Sequence, residues 1–290
     1  MTPDRPVTDV TIVIPTRERR DFLRVTLHSV LASSAEASLH GISTRILVVD
    51  DASPTDATHR LAEELGVDYH RIAIHDGKNN PASAIAAGVG LVDSRFYSVF
   101  GDDDVMLPRF VSAHVAALEA GADVCTTAFF RTDAELRPVR EVTLPDARLG
   151  DLLVGRITVN DGAMTRTELT RDLPWDSELD QVIFYPIWLE LLFRGARFTR
   201  LTEPSFLYRR HTDNASDRLE AGDAAHRALV QQRYRELILE RDGVLPEPTP
   251  PSSDRLGGSA GPRRQGPPRP LWRRIAGRIR LRLRSMRPGS

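Results

Sequence analysis

The chain has 290 residues, 41% of them apolar, and its 39 basic and 40 acidic residues nearly cancel to a net charge of −1, so a sizeable core is possible in one large domain or two small ones. The balance is uneven: residues 251–290 carry eleven Arg against one Asp, which leaves an acidic body with a basic tail, and this is not the profile of a general nucleic-acid binder. The single Cys125 excludes an internal disulfide, and the absence of an apolar leader or a membrane-length apolar run leads us to expect a body that folds in the cytoplasm.

In chain order, Asp9–Ile14 is an apolar, β-branched run ended by Pro15 and reads as a buried strand. Arg20–Leu31 reads as a helix with Phe22, Val25, Leu27, Val30 and Leu31 along one face. Arg45–Val49 is a second buried strand that closes on Asp50-Asp51. Thr55–Leu65 reads as a helix with Gly66 just beyond its end. Val67–Ile74 is a third strand, Ala82–Val92 a small-residue helix, Phe96–Phe100 a fourth strand, Pro108–Ala120 a helix opened by proline, and Asp123–Thr127 a further strand. This alternation argues a mostly parallel sheet with helices on both faces, in which ligands bind beyond the carboxyl ends of the strands.

After residue 127 the alternation breaks. Leu136–Leu144 reads as an extended hairpin arm, Asp146–Val154 as a short helix and Ile157–Thr165 as a strand. Asp180–Phe193 reads as an apolar helix, Arg197–Leu201 and Ser205–Tyr208 as strands, and Ala221–Glu240 as a long surface helix. Residues 244–270 are rich in Pro, Gly and Ser and read as a flexible linker.

The chemistry is concentrated at strand ends. Pro15-Thr16, Asp50-Asp51 and the triplet Asp102-Asp103-Asp104 all fall at the carboxyl ends of expected strands, so separate strands deliver acidic groups to one rim. Adjacent carboxylates repel one another, and an oxygen-rich site of this kind suits Mg2+ or Mn2+. An acidic turn ahead of a helix is the plainer alternative.

Four segments together, Val13-Ile14-Pro15-Thr16-Arg17, Val48-Val49-Asp50-Asp51-Ala52-Ser53, Phe100 through Pro108, and Tyr208-Arg209-Arg210-His211, resemble glycosyltransferase family 2 in order and spacing, over residues 9–216. The resemblance implies a GT-A (Rossmann-like) α/β fold and an inverting, metal-dependent transferase that uses a nucleotide-diphosphate sugar. By the same resemblance Pro15 and Thr16 line the nucleoside pocket and Asp50 and Asp51 meet base and ribose. Asp102, Asp103 and Asp104 supply ribose and metal ligands, with the choice among them open. His211 approaches the diphosphate or metal, and Arg209 neutralises phosphate charge. It divides the chain into a nucleotide-sugar half (1–127), an acceptor and catalytic half (128–243), the linker (244–270) and the tail (271–290).

Two departures stand out. Where relatives carry an Arg-Asn pair after the third strand, this chain has Ile85 and Ala86, with Asn80 upstream as a substitute polar contact. Where relatives carry an acidic base at the start of a helix, alignment on Trp188 places Ile183-Phe184, so the base falls to Asp180, or next to Asp176. Trp188 reads as core, Trp175 as core or sugar-stacking, and the histidines other than His211 as surface or satisfied groups. In the tail, Trp272, Ile275, Ile279, Leu283 and Met286 share one helical face among arginines, a pattern that suits an anionic membrane at the inner face of the plasma membrane; a disordered tail is the alternative. The acceptor is a glycan, a lipid-linked molecule or a small molecule, and nucleic acid is not expected. A sugar-phosphate nucleotidyltransferase is disfavoured because residues 15–20 contain no glycine. A degenerate nucleotide-binding scaffold remains the third reading.

Overall fold

The computed structural model describes residues 8–73, 81–156, 159, 162–173, 175, 183–212, 214 and 221–250. Met1–Pro248 make one compact unit; of the second, Thr249–Ser290, only residues 249 and 250 are described. The tail and most of the linker therefore lie outside the described residues.

Four strands form the parallel half of the sheet: β1 (Val10–Thr16), β2 (Thr44–Asp50), β3 (Asp68–Arg71) and β4 (Phe96–Val99), in spatial order β3-β2-β1-β4. Apolar, β-branched runs buried on both faces give β1 and most of β2, whereas the edge strand β3 is polar and partly exposed. Val10, Ile12 and Ile14 enter one apolar cluster with helices α1 (Arg20–Ser38) and α4 (Phe110–Glu119), whereas Val13 enters another with α3 (Ala82–Gly90) on the opposite face. The contact with α3 is close: a Cβ on Gly88 would lie 2.5 Å from Val13 Cγ1 and 2.9 Å from Val49 Cγ2. The helix α2 (Ala57–Leu65) ends at Gly66, whose φ of 65° supplies the left-handed cap.

Beyond β4 the sheet becomes mixed. The strand β8 (Met164–Arg166) runs antiparallel to both β4 and β6 (Val124–Thr132), and β9 (Phe198–Arg209) runs parallel to β6. β1, β2, β3, β4, β6 and β9 thus point the same way, and their carboxyl ends share a rim. The expected hairpin arm is present as β7 (Pro138–Val142), paired antiparallel with β6. The two strands expected at 197–208 are one strand. Between Leu201 and Phe206 it bulges away from Thr127–Phe129 of its partner, at Pro204, which has no N–H for the ladder. A two-residue strand, β5 (Val105–Met106), pairs antiparallel with Leu207 and Phe206 and had no periodic signature to announce it.

The helices differ from expectation in extent. The first runs on to Ser38, and Val25 lies 39% exposed rather than on the buried face. The short helix α5 (Leu149–Leu153) packs with α6 (Phe184–Phe193) and α7 (Ala221–Asp242) in a separate apolar cluster. Pro186 sits in the first turn of α6, where a missing N–H costs nothing. The expected surface helix α7 buries one stripe, with Tyr234 and Ile238 in that cluster and Val230 and Leu237 packed against it; spacings of 4, 3 and 1 place them together.

Two histidines depart from the expected surface or satisfied role: His226 has a buried Nδ1 without a hydrogen-bond partner among the described residues, and His114 departs further. His114 is wholly buried on α4, its ring stacked on Phe110 at 4.1 Å; Nδ1–H donates to the Phe110 carbonyl at 2.7 Å, and Nε2 has no partner among the described residues. Burial pushes its pKa down to about 4. The unfolded chain binds this proton below its ordinary value and the folded chain does not, so stability is lost as pH falls through the window from about 6.5 to 4. We expect wild type to lose on the order of 2 kcal/mol more than His114→Leu between pH 7 and pH 5, measured by urea unfolding at each pH; parallel curves would contradict it.

Candidate active site

The acidic turn after β4 is pinned from below by a row of hydroxyls on α1. Thr26 Oγ1 lies 2.9 Å from the Asp102 carbonyl and 2.7 Å from the Asp104 carbonyl. Ser29 Oγ accepts the Met106 N–H at 2.9 Å, and Ser33 Oγ accepts the Val111 N–H at 3.2 Å. Residues 26, 29 and 33 fall on one face of a helix, so the small polar residues of α1 hold the turn, β5 and the start of α4 in register.

On this base the three carboxylates, all buried, find their partners, two of them sharing one guanidinium nitrogen. Asp102 Oδ2 accepts from Thr16 Oγ1 at 2.7 Å, and Arg19 Nη1 lies 3.1 Å from Asp102 Oδ1. The same Arg19 nitrogen lies 3.1 Å from Asp103 Oδ2, which also meets His211 Nε2 at 2.9 Å. Asp104 Oδ1 accepts the Arg209 backbone N–H at 2.9 Å. Burial first, and then the charge of Asp103, push the Asp102 pKa up to about 6, against the pull of Arg19 and Thr16. For Arg19 the opposite holds: burial alone would lower its pKa, but Asp102 and Asp103 raise it above the ordinary value.

Arg209 and His211 arrive from the end of β9, held against the turn through β5. His211 stacks on Phe22 with ring centroids 4.7 Å apart, and the Arg209 guanidinium lies over the same ring at 4.9 Å. Arg209 is 6% exposed, and its Nε and Nη2 are buried with no hydrogen-bond partner among the described residues. Burial holds this guanidinium below its ordinary value despite Asp103 and Asp104, although a guanidinium keeps its charge.

The neighbouring loops form a second network on the same rim. Asp50 is wholly buried; Oδ1 accepts the Ser53 N–H at 2.8 Å and Oδ2 accepts the Tyr69 hydroxyl at 2.7 Å. Burial first, and then Asp50, raise the Tyr69 pKa. The Asp51 N–H donates to the Thr16 carbonyl at 2.9 Å. Arg17 donates to the carbonyls of Asp51 and Ala52, and Arg71 to that of Ser53. Glu18 and Ala52 hold φ of 53° and 48°, left-handed positions that cost non-glycine residues roughly 1–3 kcal/mol where they persist at functional loops.

The rim therefore brings together Pro15, Thr16, Asp50, Asp51, Asp102, Asp103, Asp104, Arg209 and His211. Asn80, Asp176 and Asp180 lie outside the described residues. Arg19 and Phe22 were not legible as site residues: Arg19 stood in a loop noted only for lacking glycine, and Phe22 read as one more apolar helix position. Ile85 and Ile183, at the two departures from the family pattern, enter one apolar cluster with Tyr97, and Trp175 and Phe184 pack against it. Trp188 is core, as expected. Trp175 is packed edge-on to Tyr97 and Phe184, and its Nε1–H donates to the Thr170 carbonyl at 3.3 Å.

As placed, these side chains do not form a ready metal site. No group of three His, Cys, Asp or Glu side chains among the described residues is arranged to hold a metal ion. Asp104 turns to the backbone, and a guanidinium bridges Asp102 and Asp103.

A largely parallel sheet flanked by helices, with acidic loops at the carboxyl ends of its strands, is the nucleotide-binding architecture of the GT-A fold. The family model for "Glycosyl transferase family 2" matches residues 11–175. The chain belongs to that family. Among solved structures it is similar to S. aureus TarS 1–349 in complex with UDP-GlcNAc, at 15% identity and TM-score 0.59, covering 81% of this chain and 68% of that one. Longer S. aureus TarS matches at 14% identity and TM-score 0.54, over 80% of this chain but only 44% of TarS. Mannosyl-3-phosphoglycerate synthase from Rubrobacter xylanophilus matches at 14% identity and TM-score 0.51, over 83% and 77%. At these identities the likeness carries the fold alone. Comparison with the curated protein sequences finds no match.

The Asp104 contact gives a structural prediction. Asp104→Ala leaves the buried Arg209 N–H without its acceptor and is expected to cost about 1–3 kcal/mol, whereas Asp104→Asn keeps an oxygen there and stays within about 1 kcal/mol of wild type. Chemical denaturation of both variants checks this; equal losses would refute it.

Proposed function

We propose that the chain transfers a sugar from a nucleoside diphosphate sugar to an acceptor hydroxyl by direct displacement with inversion. The observation that carries this reading is Arg209. A guanidinium 6% exposed, with two nitrogens unpartnered among the described residues, is costly unless an anion completes it. A diphosphate supplies that anion, and its charge grows as the sugar departs, so a fixed cation near it stabilises the departing state more than the bound one. His211 packs on the same Phe22 ring and lies beside the leaving phosphate in this reading.

In this reading residues 1–127 bind the nucleotide, with Pro15 and Thr16 beside the nucleoside, Asp50 and Asp51 shaping the base and ribose pocket, and Asp102 toward the ribose. Residues 128–243 receive the acceptor, and Asp180, or failing it Asp176, takes the acceptor proton as general base. The family resemblance implies Mg2+ or Mn2+ at Asp102, Asp103, Asp104 and His211. The side chains as placed among the described residues do not gather into that site. A UDP-linked donor is the first to test, because a TarS structure contains UDP-GlcNAc.

The test is thermal stabilisation by UDP, GDP and dTDP, with and without Mn2+, alongside Arg209→Met. At least one diphosphate is expected to stabilise wild type, by roughly 2.7 kcal/mol at a hundredfold excess over Kd. Arg209→Met should lose at least tenfold in affinity for that diphosphate while binding the matching monophosphate nearly as before. Stabilisation by none of the three would overturn the reading.

The tail carries a separate proposal, a peripheral contact with anionic membrane at the cytoplasmic face that would suit a lipid-linked acceptor. No helix among the described residues is long and apolar enough to cross a membrane. The full chain should sediment with vesicles rich in anionic lipid and the 1–250 truncation should not; equal binding removes the proposal.

A further inference from the structure

The position between Asp102 and Asp103 is already held by a cation of the chain itself. Arg19 Nη1 is equidistant, at 3.1 Å, from Asp102 Oδ1 and Asp103 Oδ2. A single nitrogen between oxygens of two adjacent residues stands where an ion bridging the same carboxylates would stand. Arg19 differs from Arg209 in its setting: its side chain is 25% exposed, and it precedes α1 at the end of a loop whose neighbour Glu18 is left-handed. Arg209 is 6% exposed, whereas Arg19 reaches solvent along part of its side chain. A guanidinium does not deprotonate within the range in which proteins fold, so vacating the position requires moving the side chain, not titrating it.

We propose that Arg19 is the resident counter-cation of the Asp102–Asp103 pair and competes with divalent ions for it, so that a free ion enters only by displacing the guanidinium. The disposition of the other groups supports this. Asp104 is turned away to the Arg209 backbone, His211 is engaged with Asp103, and no alternative cluster among the described residues offers the ion three side chains. Nearby, Arg209 presents unpartnered nitrogens to an anion. The Asp102–Asp103 pair is thereby kept charge-compensated, and an incoming diphosphate offers Arg19 a second place to go. Arg19 acts on the ion through position, as a competing charge.

The inference rests on the reading of this rim as a nucleotide-diphosphate site, and the experiment separates the two. Mn2+ alone is titrated into the full-length wild type, Arg19→Met, Arg19→Gln and Arg19→Lys, with free ion read by electron paramagnetic resonance. Stabilisation by nucleoside diphosphates without metal is measured in parallel, and circular dichroism confirms that each variant is folded. Both neutral variants are expected to bind Mn2+ at least tenfold more tightly than wild type, Arg19→Lys to stay near wild type, and Asp103→Asn added to Arg19→Met to abolish the gain. Neutral variants that bind Mn2+ no more tightly than wild type would overturn the role of Arg19, even if nucleotides still bind. A gain in Mn2+ affinity with no nucleotide binding by any variant would uphold Arg19 as the competing charge and overturn the nucleotide reading instead.

Discussion

Burying three adjacent carboxylates at one turn imposes the constraint around which this sheet edge is organised. Like charges at such spacing raise one another's cost, and each buried charge needs a partner. The turn answers with four different partners. Asp104 is met by a backbone N–H, Asp102 by a threonine hydroxyl and one guanidinium nitrogen, and Asp103 by that same nitrogen and an imidazole. These partners come from β1, the β1–α1 loop and the end of β9, so compensation of the triplet ties the first and last strands together.

That tie explains otherwise puzzling details. A two-residue strand adds few hydrogen bonds of its own, yet β5 joins the acidic turn to Phe206 and Leu207 of β9, just before Arg209 and His211, while β6 pairs with β9 as far as Arg209. The row Thr26, Ser29 and Ser33 makes α1 a poorer apolar helix but gives the turn its anchors. Phe22 serves both sides, as the surface on which Arg209 and His211 rest. The left-handed Glu18 and Ala52 sit in the two loops laced together beside them, where local strain is held by surrounding bonds.

Much of the first half was legible in the chain because periodicity there is strong. Runs such as Val10–Ile14 and Ile46–Val49 admit few alternatives to buried parallel strands, and the four family motifs fell on the elements expected of them. The second half was less legible for identifiable reasons. Pro204 interrupts the apolar pattern of β9 without ending the strand, and the buried stripe of α7 is diluted by charges on its other faces. The two departures at Ile85 and Ile183 looked independent in sequence, but they share one apolar cluster with Tyr97, so the loss of polarity at one position is matched at the other by packing.

The sequence by itself determined the fold class, the rim on which acidic groups gather and the family to which the chain belongs, because hydrophobic period and motif order are local properties. Only the tertiary structure decided how the charges are shared. That Arg19 stands between Asp102 and Asp103, that Asp104 accepts from the Arg209 backbone, and that the Nε and Nη2 of Arg209 are buried without a hydrogen-bond partner among the described residues all depend on segments up to 108 residues apart meeting at one place. Pairing of charges is set by distance and burial, and neither is written in the order of residues along a chain.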